Sequence, residues 1–150
     1  MSDLKSQLSD ELKSALRSGD KLRLSVVRLL SALIKNREVE KRGPLTDAEV
    51  LQAIVASCKQ RQEAIEQYRQ GGRQDLMEKE AAELVILQSY LPAALTGEEL
   101  RAMVTEAILE VQATSLKEMG KVMAVLMPRI TGRADGKAVN TLVREALSKN

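Results

Sequence analysis

Apolar positions recur at spacings of three and four along nearly the whole chain, the period of a helix with one buried stripe, and no useful length of strict alternation marks a strand. Leu4, Leu8, Leu12 and Leu16 form a ladder that predicts a short amphipathic helix, capped by Ser2 or Asp3 and stopped by Ser18-Gly19-Asp20. A second helix, near Lys21 to Glu40, directs Leu22, Val26, Leu29, Leu30, Leu33 and Ile34 inward. Gly43-Pro44 turns the chain. Thr46 and Glu49 then form a capping box, with Leu45 and Val50 as its hydrophobic staple. The helix they open carries Val50, Leu51, Ile54, Val55, Cys58, Ile65 and Tyr68 on one side as far as Gln70, where Gly71-Gly72 breaks it. Its polar middle, Lys59 to Glu63, either projects beyond the core or lines a groove. A fourth helix, from near Arg73 to Tyr90, turns Leu76, Leu84, Leu87 and Leu91 inward, with Val85 and Ile86 widening the stripe.

Leu91-Pro92 closes this first unit, and a further capping box, Thr96 with Glu99, is stapled by Leu95 and Leu100. Its helix uses Leu100, Val104, Ile108 and Val111. Ser115 with Glu118 predicts a helix starting at Leu116, with Leu116, Met119, Val122, Met123 and Leu126 as its stripe. Pro128 is expected to end it, because proline lacks an amide hydrogen and disfavours helical geometry in the residue before it. Asp135 is placed to cap a last helix carrying Val139, Leu142, Val143, Ala146 and Leu147. The expectation is an all-α chain: an N-terminal four-helix domain over residues 1–92, then a small C-terminal three-helix domain over residues 93–150.

Composition narrows the chemistry. Apolar residues make up 44%, but there is no Phe, Trp or His, and Tyr68 and Tyr90 are the only aromatic residues, both read as buried. Without His, the commonest acid–base group at neutral pH is absent and no Cys–His nucleophile can form. Gly71-Gly72, Gly132 and Gly136 fit no phosphate-loop or dinucleotide spacing, and carboxylate pairs such as Glu38/Glu40, Glu80/Glu83 and Glu98/Glu99 read as solvated helix-surface charge. Cys58 stands alone on an apolar register, so it reads as a small buried hydrophobe, with neither a metal site nor an internal disulfide. No catalytic residue and no cofactor is assigned. No apolar run approaches the roughly 20 residues of a membrane span, the N-terminus resembles neither a signal nor a transit peptide, and cytoplasm is the expected location.

Net charge is only +2, from 23 basic and 21 acidic residues, so any binding to an anion must be local. Two stretches are locally basic. Arg17 to Arg42 holds eight Lys or Arg against Asp20, Glu38 and Glu40, so the outer face of the second helix is basic; the alternative is an ordinary solvated helix face. Between Lys117 and Arg144, the six cations Lys117, Lys121, Arg129, Arg133, Lys137 and Arg144 face only Glu118 and Asp135. Here Arg129, Arg133 and Lys137 bracket Gly132 and Gly136 ahead of a helix N-terminus, where free amides and the helix dipole favour a phosphate. The alternative is that glycine, turn and cap merely join two helices, with cations for solubility.

Gly120 to Pro128 (GKVMAVLMP) together with Gly132 to Asn140 (GRADGKAVN) resembles the YqeY proteins of the GatB/YqeY family. Lys35-Asn36-Arg37-Glu38, Gln60 to Ile65 and Gly72 to Leu76 carry the same resemblance in the N-terminal half. It implies an all-helical protein with a larger N-terminal and a small C-terminal domain. It also implies kinship with the C-terminal tail of the GatB subunit of glutamine-dependent tRNA amidotransferase, a carbon–nitrogen ligase with glutamine as amide donor. In that enzyme the tail contacts the body of the tRNA, and the kinase chemistry lies in a preceding domain that these residues do not resemble. The tail pattern falls here on Gly120, Met123, Gly132-Arg133-Ala134 and Val139, but Asp135-Gly136 replaces the usual Asn-Pro. That Asp puts a carboxylate where a phosphate would approach, which favours the plain capping role.

The leading expectation is a non-catalytic adaptor for tRNA or another structured RNA, alongside an amidotransferase or another translation component, with no membrane or DNA partner. Base stacking is nearly unavailable to it, so backbone and shape would carry recognition. The alternatives are a protein-interaction module without RNA contact, using a groove between the two helical units, and an accessory subunit that assists amide transfer.

Overall fold

The computed structural model describes residues 3–148. Its elements are α1 (Asp3–Ser18), α2 (Lys21–Lys41), α3 (Asp47–Gln70), α4 (Gln74–Gln88), α5 (Gly97–Val111), a 3-10 turn (Leu116–Glu118), α6 (Met119–Ile130) and α7 (Gly136–Ser148). Among the described residues every regular element is helical, as the periodicity predicts. The chain divides into two compact units, Met1–Leu91 and Pro92–Asn150. No described helix is long and apolar enough to cross a membrane. Ser2, the alternative cap of the first helix, lies outside the described residues.

In the first unit, Val26, Val27, Leu30 and Ile34 of α2 pack with Leu8 of α1, with Val50, Ala53, Ile54 and Cys58 of α3, and with Ile86 and Leu87 of α4. The Leu ladder of α1 does not stay inside: Leu8 is buried but Leu16 is 52% exposed, and Ala15 takes the inner position. Each i to i+4 step over-rotates by about 40°, so three such steps leave the core face, whereas Leu8 and Ala15, seven apart, share it. Leu29, Val55 and Val85 likewise turn outward, and Val27 and Ala53 pack inside instead. The Thr46 capping box forms as read, each side chain bonding the other residue's amide.

The Glu80/Glu83 pair is not solvated charge. Glu83 is buried, and Arg61 from the polar middle of α3 donates to Glu83 and, at 3.0 Å, to Glu80. Arg61 thus lines a groove of about 370 Å³ between α2, α3 and α4, with Leu29, Leu33 and Leu87 on its walls.

Lys41 joins the end of α2 to the start of α3 by donating to Glu49 at 2.5 Å and to the Pro44 carbonyl at 2.9 Å. With the Lys41 ammonium first, then the amide and hydroxyl of Thr46, the Glu49 carboxyl is held down to about 2 from its ordinary 4.5. A depressed carboxyl adds stability that is full above its ordinary range and is lost as pH falls towards the folded value. An NMR titration should therefore find Glu49 with a midpoint near 2. Lys41→Met should return it towards the ordinary range, and a midpoint unmoved by that change would leave the ammonium without a role.

In the second unit, Leu100, Val104 and Ala107 of α5, Val122, Leu126 and Ile130 of α6, and Val139, Val143 and Leu147 of α7 close one core. The Thr96/Glu99 box forms, but the Ser115/Glu118 box does not. Glu118 instead accepts from the Thr114 amide at 2.5 Å, a 3-10 turn follows, and the α-helix starts only at Met119. Leu116 is consequently 48% exposed. Nor does Pro128 end α6, which continues to Ile130. Ile130 is 1% exposed, and burying it holds the last turn. Thr131 closes that turn by donating both its amide and its hydroxyl to the Met127 carbonyl.

Candidate nucleic-acid interface

The six cations of the second unit divide into two groups. Arg129 is spent across the α5–α6 packing, with its guanidinium 2.9 Å from the Glu110 carboxylate. Arg133 is spent on the fold, its Nε donating to the Ala93 carbonyl at 3.2 Å while its own carbonyl accepts from the Leu95 amide at 2.9 Å. Both arginines therefore already have partners, and of the three cations around this loop Lys137 alone has an unpaired side chain among the described residues.

Lys117, Lys121, Lys137 and Arg144 are exposed, and their side chains make no hydrogen bond or ion pair among the described residues. The 3-10 turn bearing Lys117 packs against both α6 and α7, the helices that carry the other three. Lys121 and Lys137 each follow a glycine in the first turn of a helix, and a Cβ added at Gly120 or Gly136 would meet nothing within 4 Å. Bare backbone beside a lysine at a helix start lets an anion approach the amides closely. Asp135 competes at the second of these starts, accepting from the Lys137 amide at 3.4 Å as the cap it was read to be. The start of α6 has no side-chain cap at all. Gly132 has a different reason, its φ of 80° being left-handed backbone that a side chain would strain.

The basic face of α2 also divides. Arg23 bonds the Tyr90 hydroxyl at 3.0 Å and lies 3.5 Å from both Glu11 and Asp20, and Lys41 serves Glu49. The hydrogen bond to Tyr90 raises the Arg23 guanidinium further, and burial pushes the Tyr90 phenol up. Lys21, Arg28, Lys35 and Arg42 are exposed, and their side chains make no hydrogen bond or ion pair among the described residues. Sequence counting found the excess but missed the register. Those four recur every seven residues, and that spacing was the available signal.

Tyr90 is buried, as read, but Tyr68 is only partly so. Cys58 is buried, and burial raises its thiol. No group of three or more Cys, Asp or Glu able to hold a metal occurs among the described residues.

The family model described as Yqey-like protein matches residues 5–147. A relative from Pyrenophora tritici-repentis is 32% identical over 143 residues, covering 94% of this chain and 79% of its own. One from Eremothecium gossypii is 32% identical over 97% of this chain and 81% of its own, and one from Saccharomyces cerevisiae 26% identical over 91% and 72%. All three are named altered inheritance of mitochondria protein 41, mitochondrial. Those names correct the cytoplasmic expectation, since the relatives are mitochondrial proteins.

Proposed function

This chain belongs to the YqeY-like protein family, and from that premise we propose that it is a non-catalytic adaptor binding tRNA or another structured RNA, alongside an amidotransferase or another translation component. The observation that carries the reading is the set of four uncommitted cations in the second unit, two of them beside bare glycine backbone at helix starts. Cations already paired inside a protein release no counterions on binding, whereas these four are free to neutralise phosphates. The second unit, which carries these cations, holds no aromatic residue, so recognition there falls to backbone and shape.

Binding of the full chain to a transcribed tRNA, followed by fluorescence anisotropy across a salt titration, tests this. The variant with Lys117, Lys121, Lys137 and Arg144 all changed to Gln should bind more weakly. Its slope of log affinity against log salt should be shallower by about one for each phosphate that is no longer neutralised. Absence of salt-dependent binding by the unaltered chain would refute the reading. Unchanged affinity and slope in the variant would remove these four residues from the site.

The groove between α2, α3 and α4 favours a second reading, a protein-interaction module that contacts no RNA. That reading predicts loss of a protein partner on changing Leu29, 57% exposed on the groove wall, with no effect on RNA.

A further inference from the structure

We propose that the exposed face of α2 is a second track for the phosphate backbone of a structured RNA, an inference that rests on the reading above and concerns the other compact unit. Lys21, Arg28 and Lys35 stand at seven-residue intervals on one helix, and Arg42 follows at its C-cap. At 1.5 Å per residue they are about 10.5 Å apart, and the track is about 30 Å long. That interval exceeds the roughly 8 Å screening length at physiological salt, so each cation meets its phosphate almost independently of the others. Ser25 and Ala32, exposed between them, are short, which leaves the floor of the track low enough for a backbone to approach.

Acids that could neutralise the track are turned elsewhere. Glu38 accepts from Lys5 at 2.7 Å and from the Leu45 amide at 2.9 Å. Asp20 caps α2 by accepting from the Arg23 amide at 3.1 Å. Glu40 projects about 120° from Arg28 around the helix, at the edge of the exposed sector. A membrane surface fits less well. Interfacial helices bind by sinking an apolar face, and that of α2, with Val26, Val27, Leu30 and Ile34, is already used in the core. On the track itself Val39, 71% exposed, is the one large apolar side chain, and Leu29 faces the groove, so the track offers mainly charge and matches a nucleic-acid backbone.

The test changes Lys21, Arg28 and Lys35 together to Gln in the full chain and measures binding to a transcribed tRNA across a salt titration. The expected result is weaker binding and a log–log slope shallower by about three, one for each phosphate that these cations neutralise. A charge-preserving swap, Lys21→Arg, Arg28→Lys and Lys35→Arg, should keep the slope, and thermal melting of each variant establishes that it is folded. If the Gln variant keeps its affinity and slope while the second-unit variant loses binding, the track is overturned and the proposed function stands. If the unaltered chain binds no RNA, both fall. If the Gln variant instead loses binding to phosphatidylserine vesicles with RNA affinity intact, the track belongs to a lipid surface and the inference is wrong.

Discussion

Arg61→Met is expected to destabilise the first unit by about 3–5 kcal/mol, the range for removing one partner of a buried ion pair. The Arg61 side chain is 14% exposed and that of Glu83 6%, so deleting the guanidinium leaves a carboxylate inside the protein with no counter-charge. Glu80, 22% exposed, can turn to water, whereas Glu83 cannot. Replacing both members by apolar residues, Arg61→Met with Glu83→Leu, should recover most of the loss, because a well-packed apolar pair commonly matches or exceeds a buried ionic one. Urea unfolding of the single and double variants measures this as a departure from additivity. A single variant within about 0.5 kcal/mol of the unaltered chain, the size of an ordinary surface change, would mean that Glu83 does not depend on Arg61.

The second large effect concerns the smaller unit. Leu126 is fully buried at the centre of α6, among Val104, Val122, Val139 and Val143. Leu126→Ala removes its transfer energy and leaves a cavity, a loss of about 2–5 kcal/mol. A unit of about 60 residues has little margin to absorb that. The expected outcome is selective unfolding: loss of amide protection across α5 to α7 while α1 to α4 keep theirs, read by hydrogen exchange. Uniform loss across both units would instead show that the two unfold together.

Most helix boundaries were legible because they are written locally. Thr46 with Glu49 and Thr96 with Glu99 state a helix start within four residues, and both boxes form. Ser115 with Glu118 has the same spelling and fails, because Glu118 reaches back to Thr114 instead. Pro128 shows the converse, a local stop signal overridden by the burial of Ile130. The family resemblance was legible in the motifs of both halves, and the family model covers residues 5–147.

The candidate site was less legible, since a count of cations does not say which are committed. Arg129 and Arg133 look like the other four in the sequence, and only the structure shows their distant partners, Glu110 and Ala93. The Arg61–Glu83 pair also joins residues far apart in sequence. A hint existed, however, because Arg61 and Glu83 lie equally far on either side of Gly72, where an antiparallel helical hairpin would place them opposite one another.

The bonds that Arg133 makes have a further consequence. Its guanidinium on the Ala93 carbonyl and its carbonyl on the Leu95 amide fasten residues 93–95 to the turn between α6 and α7, some forty positions further along the chain. Two loops that look like independent sites for insertion are therefore one mechanical piece. A residue added to either shifts the register of the other, so length variation should be poorly tolerated at both of these places, and a fragment meant to carry the second unit must begin no later than Ala93.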